Sequence, residues 1–435
     1  MTKTAPTGTA GLVRAIGRWT LVALTVNSII GSGIFGLPSV VAGLLGKLSP
    51  LAVLFAGGGM AVIMGCYAEV ASYFHEAGGP YLYARAAFGR MMGIQTAWML
   101  CLGQVAAPAA NANLFVIYLG EFRPHAKDPL PRFLILTVLV GILTIINFRG
   151  VRGGAQVSNF FTAAKLLPLL AVIVLGGAVM LARHASVPTA TAHPSTGDWL
   201  KAMLLLAFAY GGFETALAPM SEAKNPRRDV PYALFAAVLA CTVIYALIQV
   251  VVVGTLPNAA HSDRPLADVA RLALGPFGAG LVAVGALVSF YGYLSAKILG
   301  MPRVTFALAE RGDFPRAFAA VHSRFKTPYV SLLVFATLIW GFALVGEFKW
   351  NVTLSAIARL FYYAVGCAAL PVLRRKRPSG ALFRLPGGTL FAVLGITICL
   401  MLMSQVDFGQ SLILLATIAI ALLNWAVVAR ASAAS

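Results

Sequence analysis

In this chain of 435 residues the groups best placed to do chemistry are bare peptide groups. In NSIIGSGIFGLP, Asn27 to Pro38, three glycines and a proline fall within eight positions of a long apolar run. Glycine and proline are the poorest helix formers, so the run predicts a helix that breaks near Gly31. A second interruption, LAFAYGGFETALAP from Leu206 to Pro219, carries Gly211 and Gly212. A break frees C=O groups at the end of the incoming half-helix and N–H groups at the start of the outgoing one. The N–H end attracts anions and the C=O end attracts cations. A zwitterion suits both. Ser32, Gly33 and Ile34 would offer N–H groups to a carboxylate, and Ile29, Ile30, Phe208, Ala209 and Gly211 would offer C=O groups to an ammonium. The alternative is that Gly31, Gly33 and Gly36 form a face of small residues for helix packing. That reading suits one isolated span better than two matched interruptions.

Ionisable side chains inside apolar runs come next, because each is costly in lipid and marks function by default. Lys165, in FFTAAKLLPLL, lies about 10 residues into a span, roughly 15 Å deep. It is expected to be a proton-coupling element or a fixed cation; the alternative is a permanently charged brace, which would still allow exchange. Glu214 starts the outgoing half-helix of the second break, where it either caps the helix or gates. Arg359, in SAIARLFYY, is expected in the outer half of its span. There it would pair with a gate carboxylate or read an acidic side chain, and it argues against cationic cargo. Glu69 is expected to anchor a network at a span end, and Lys297 to snorkel. Gln104, with Cys101, Ala107 and Asn111, and Phe290, with Tyr291, are candidates for lining a side-chain pocket.

The elements that position these residues are membrane spans. Hydrophobic residues make up 59% of the chain, charged residues 11%, and mean hydropathy is +0.85. A soluble domain carries about 25% charge. Runs of about 20 apolar residues recur about twelve times, near 16–45, 51–74, 91–120, 132–149, 155–182, 199–222, 232–255, 277–308, 328–346, 351–373, 388–404 and 410–430. The first break then lies about 15 residues, or roughly 22 Å, into span 1, and the second about 12 residues, or roughly 18 Å, into span 6. Both are near the middle of a hydrocarbon core about 30 Å thick. Broken spans at corresponding places in two halves point to a transporter site at the repeat interface. Residues 16–182 and 199–373 are expected to form two inverted five-helix repeats, with two more helices at 388–430 and a disordered cytoplasmic segment at 1–15.

The net charge of +19 is an orientation signal. With the N-terminus inside, 21 Lys and Arg fall in cytoplasmic segments and 9 in external ones. This bias places both termini in the cytoplasm and argues against a nucleic-acid partner. LRRKRP, 373–378, flanks a span and could also touch anionic lipid heads. The five cysteines (66, 101, 241, 367, 399) fall in spans without C-x-x-C spacing, and the six histidines (75, 125, 184, 193, 261, 322) form no metal-spaced cluster. No metal or cofactor is expected, and no cleavable signal peptide is visible.

At these motifs the sequence resembles the amino acid–polyamine–organocation (APC) superfamily. IIGSGIFGLP and FAYGGFE resemble its first- and sixth-span motifs. YAEVASYFHEAGGPYLYARAAFG (67–89), SEAKNPRRDVP (221–231) and PRVTFALAERGDFPRAFAAVHSRFKTP (302–328) resemble the segments after spans 2, 6 and 8. The resemblance implies an all-α integral membrane protein of the leucine-transporter type: about 12 transmembrane helices, a 5+5 inverted repeat with helices 1 and 6 broken, and two C-terminal helices. It implies amino acid or amine transport by alternating access. It places the substrate carboxylate at Ser32 and Gly33 and an aromatic gate at Phe208, with Phe35 and Tyr210 as neighbours. It also places Lys165 where sodium-driven members hold a sodium ion, bridging the carbonyls of half-helix 1 and span 8. It implies that the outer half of span 10, with Arg359, lines an outer vestibule. Simple core packing is the alternative for Phe208.

The expected function is a secondary transporter of the cytoplasmic membrane carrying neutral amino acids, driven by proton symport; the alternative is an exchanger of amino acids or amines without net proton coupling. A channel would need a continuous polar route. An enzyme would need a catalytic cluster, yet H-E-x-x-H, G-x-S-x-G and paired carboxylates are absent. A nutrient sensor would call for a signalling tail.

Overall fold

The computed structural model describes residues 16–74, 79–149, 155–182, 194–217 and 223–433. The N-terminal segment 1–15, His75, His184, His193 and residues 218–222 of the loop after span 6 lie outside the described residues.

Helices account for almost all of the described chain. The first span is α1 (Arg18–Ile29) and α2 (Gly33–Leu45), separated by Ile30, Gly31 and Ser32. There follow α3 (Ser49–Ala71), a short surface helix α4 (Gly79–Phe88), α5 (Arg90–Leu119), α6 (Pro129–Phe148) and α7 (Ala155–Ala182). The second broken span is α8 (Thr196–Tyr210) and α9 (Phe213–Ala216), separated by Gly211 and Gly212. Then come α10 (Pro226–Thr255), α11 (Pro265–Glu310), α12 (Tyr329–Val345), α13 (Phe348–Lys376), α14 (Gly388–Met403) and α15 (Phe408–Ala433). Joining the halves of the two broken spans, and setting α4 aside, leaves the twelve crossings expected from hydropathy. α11 kinks at Gly275 (φ 64°), just before Pro276, so its first turns form a separate segment and the span proper starts where the hydropathy places it. Among the described residues, eight helical stretches are long and apolar enough to cross a membrane, with α12 and α14 as shorter apolar helices.

The end of the bundle where α1 begins is termed basal and the opposite end apical. α5 is the central helix: 89% of its most apolar window is buried, against 22% for α6 and α15. It packs on α13 and α11. The outer helices instead expose apolar stripes at helical spacing, such as Leu134, Val138, Ile142 and Ile145 on α6. Such a surface is stable only against lipid, where every backbone group must be paired within the protein.

Polar clamps hold the basal end. Glu69 of α3, fully buried, accepts two bonds from Arg374 (2.7 Å each) and one from the Leu385 N–H (2.7 Å). Buried Asp313 after α11 gathers Arg85 of α4 (2.7 Å), Arg90 of α5 (2.6 Å) and the Tyr81 hydroxyl. Arg18 at the start of α1 meets Asp229 of α10 at 2.9 Å. Closer to the apical end, Gln249 of α10 donates to Pro38 C=O (3.0 Å) and Ser49 Oγ (2.9 Å), tying α2 to the start of α3.

Candidate functional site

The two breaks touch. A Cβ at Gly33 would lie 3.1–3.3 Å from Ala209 Cα, Ala209 Cβ and Phe208 Cδ1, so any side chain there would push the two segments apart by a few tenths of an ångström. Gly212 holds φ at 114°, and a Cβ there would run into the Ser28 carbonyl of α1. Each glycine thus presses one broken span against the other at its break. The space left on the α3 and α10 side of the contact is about 10 Å³, lined by Gly33, Ala209, Tyr245 and Gln249 among others, roughly one water.

The peptide groups expected to bind a zwitterion are partly committed in this conformation. The Tyr245 hydroxyl of α10 lies 3.1 Å from the Ala209 carbonyl and 3.4 Å from the Ile29 carbonyl, so it donates to either and ties the two incoming half-helices together. Phe208 C=O accepts from Gly211 N–H at 3.1 Å. The first backbone bond of the outgoing half-helix is Phe35 N–H to Ser32 C=O at 3.0 Å. Among the described residues Ser32, Gly33 and Ile34 therefore have N–H groups without a backbone acceptor, as helix starts do. Ser32 Oγ is buried beside them and has no partner among the described residues.

Glu214, on the first turn of α9, is the best-satisfied group of the site. Its Oε1 accepts from Tyr362 Oη (2.9 Å) and lies 3.4 Å from Arg359 Nη1. Its Oε2 accepts from Tyr363 Oη (2.9 Å) and from Gly212 N–H (2.9 Å). The last bond caps the break, while the others tie α9 to α13. Arg359 is buried, carries its guanidinium 5.7 Å from the Phe208 ring centroid and donates to Ser355 Oγ at 3.3 Å. The same guanidinium fills the place a Gly211 side chain would need. This corrects the expectation that Arg359 faces an outer vestibule. It lies three turns into α13, and Glu214 draws it towards the second break.

Lys165 of α7 approaches the last turn of α1, with Nζ 3.2 Å from Asn27 Oδ1 and 3.4 Å from Asn27 C=O. A bridge to α1 is therefore present; none to a span-8 carbonyl is found among the described residues. Lys297 does not snorkel. Its ammonium lies 5.4 Å from the centroid of Tyr293, whose ring packs 3.8 Å from the Cβ position of Gly31. α11 continues more than three turns beyond it, too far for its ammonium to reach the basal surface.

Two cavities flank the breaks. The apical one, about 510 Å³, is lined by Gly36, Ile117, Lys127, Asp263 and Glu347 among others. It stops at fully buried Phe35, Tyr118 and Phe290, whose rings meet edge-on at 5.3–6.1 Å. Phe290 therefore packs in an aromatic plug. The basal cavity, about 380 Å³, runs between α4, α5 and α11 and ends on Gln104, Glu214 and Thr215. Tyr210 is fully buried and turns away, donating to Val53 C=O at 2.9 Å. Tyr245, Tyr293, Tyr362 and Tyr363 also surround the breaks, and no motif in the sequence marks Tyr245 or Tyr293 for that place. The pair at 362–363 has a signal, since positions three and four after Arg359 share its helix face.

Among the described residues the two spans unwind against each other, and a cavity reaches them from the basal end; the sequence of this chain can be compared with known proteins. The amino acid permease family model matches residues 16–425. An uncharacterised transporter of Mycobacterium tuberculosis is 30% identical over 375 residues, 82% of this chain and 80% of the relative. The branched-chain amino acid permease BcaP of Bacillus subtilis is 28% identical over 425 residues, 92% of this chain and 89% of the relative. The serine/threonine exchanger SteT of Bacillus subtilis is 28% identical over 382 residues, 84% of each. With unwound spans at its centre and a family match over nearly its whole length, this all-α chain belongs to the amino acid permease family of the APC superfamily and is a membrane transporter.

Proposed function

We propose that the protein moves neutral amino acids across the cytoplasmic membrane by alternating access, with proton symport through Lys165. The observation that carries this reading is the meeting of the breaks at Gly33 and Ala209, beside N–H groups and a Ser32 hydroxyl that have no partner among the described residues. The N–H groups of Ser32, Gly33 and Ile34 take the substrate carboxylate. The carbonyls of Ile29, Ile30, Phe208, Ala209 and Gly211 take the ammonium once Tyr245 and Arg359 give way. Phe208, Glu214 and Arg359 form the gate. In this reading the repeats span 16–182 and 199–373, with 388–430 as an appendage, and the basal end is cytoplasmic, as the Lys/Arg bias supports. The basal cavity then makes this conformation inward-facing.

The test is counterflow of a labelled amino acid panel in proteoliposomes, with and without a pH gradient. Uptake driven by external acid supports symport. Exchange indifferent to the gradient supports the second reading, an antiporter in which Lys165, held on Asn27, is a fixed brace. Absence of any amino acid movement removes the proposal.

A further inference from the structure

We infer that the basal cavity is the side-chain pocket of this transporter and that it selects neutral amino acids bearing a hydroxyl or amide over hydrocarbons of the same shape. The inference rests on the transport reading and names its substrate class. At about 380 Å³ the cavity lies within the range of small-molecule sites.

Charge narrows the choice first. Among the described residues Glu214 is the one carboxylate on the cavity wall. Its oxygens already face Arg359, Tyr362, Tyr363 and the Gly212 N–H. An ionised carboxylate offers about four lone-pair sites, so little capacity remains for a cationic side chain. An acidic side chain would be repelled by Glu214 at the cavity's inner end. The wall's own cations, Arg303 and Arg311, are exposed, where water screens them.

Hydrogen bonding then separates polar from apolar. Gln104 on the wall is 1% exposed, and its Oε1 has no partner among the described residues. Four residues on, Pro108 has no N–H, so the Gln104 carbonyl also lacks its helical donor. Thr215, on the facing element, donates its hydroxyl to Gly212 C=O at 2.7 Å and keeps its lone pairs for the cavity. At the inner end of the cavity the Gln104 Oε1 thus has no donor among the described residues, and Thr215 Oγ1 keeps lone pairs free beside it. A hydroxyl or amide from the cargo meets that need, and the Gln104 amide can turn to present either end. A hydrocarbon covers the acceptors and leaves them dry, the arrangement by which sites reject analogues that lack a polar group.

The test compares near-isosteric pairs, threonine against valine and asparagine against leucine, in counterflow with the full-length protein. The expected result is a preference of about tenfold or more for the polar member of each pair. Gln104→Met, close in volume but without the amide, should bring both ratios to within about threefold of unity. Equal or better transport of valine and leucine by the unaltered protein overturns the pocket assignment and leaves the transport reading standing. A polar preference that survives Gln104→Met overturns it as well. If no member of the panel moves, the transport reading itself falls. Should Gln104→Met fail to fold, the two ratios of the unaltered protein still decide.

Discussion

Glutamine in place of Glu214 keeps the shape of the side chain and removes its charge, which makes it a direct probe of what holds the second break. At the observed 3.4 Å from Arg359, an effective dielectric of about 20 gives an attraction of about 5 kcal/mol. Each tyrosine bond to the carboxylate contributes about 1.5–3 kcal/mol. Both partners are buried, so removing one leaves the other charge without a counter-ion, at a cost of about 3–5 kcal/mol. Glu214→Gln and Arg359→Met should each destabilise by that amount, and the double variant by clearly less than the sum. The expected coupling is about 3 kcal/mol, against about 1 for the cycle of Glu214→Gln with Tyr362→Phe, because the glutamine oxygen still accepts from a tyrosine hydroxyl and only the charged bond's excess is lost. Reversible unfolding in bicelles, followed by fluorescence of the six tryptophans, measures both. If the Glu214–Tyr362 coupling equals or exceeds the Glu214–Arg359 coupling, the hydroxyls hold the carboxylate, and the charge-balanced gate is refuted.

Gly33→Val should part the breaks, because even a Cβ lies 3.1 Å from Ala209 Cα; a loss of about 1–3 kcal/mol of stability and abolished substrate binding are expected, and unaltered affinity by equilibrium binding would count against the carboxylate site. Gly212→Ala combines a φ of 114° with a clash on Ser28 C=O; its cost should be at least about 1–3 kcal/mol from backbone strain alone, read by the same unfolding assay. Lys165→Met removes the ammonium from Asn27 and should erase the acceleration of uptake by external acid; a variant that keeps that acceleration rules out coupling through Lys165. At the apical end, Ser195 and Asp198 form a capping box, and the Ser195 hydroxyl and N–H hold the Asp198 carboxyl below the usual carboxylate range. A lowered folded value means that the cap is intact at neutral pH and is lost only as pH falls through that value. Ser195→Ala should move the Asp198 titration, followed by carbon NMR, upward.

Several features were legible in the sequence because their causes are local. Glycine and proline weaken a helix wherever they stand, so the breaks at 30–32 and 211–212 could be placed from composition alone. Apolar length marked the twelve crossings, since lipid demands about 20 apolar residues whatever the neighbours are. What neighbours what was settled only by the tertiary structure. Arg359 and Glu214 are 145 residues apart, and their meeting depends on the rotation and depth of α13 against α9. The same holds for Tyr245 reaching Ala209, Lys297 lying over Tyr293 and Phe290 joining an aromatic plug. In spans that are apolar on every side, hydropathy carries no rotational phase, so which residues face the centre follows from packing between helices distant in the chain.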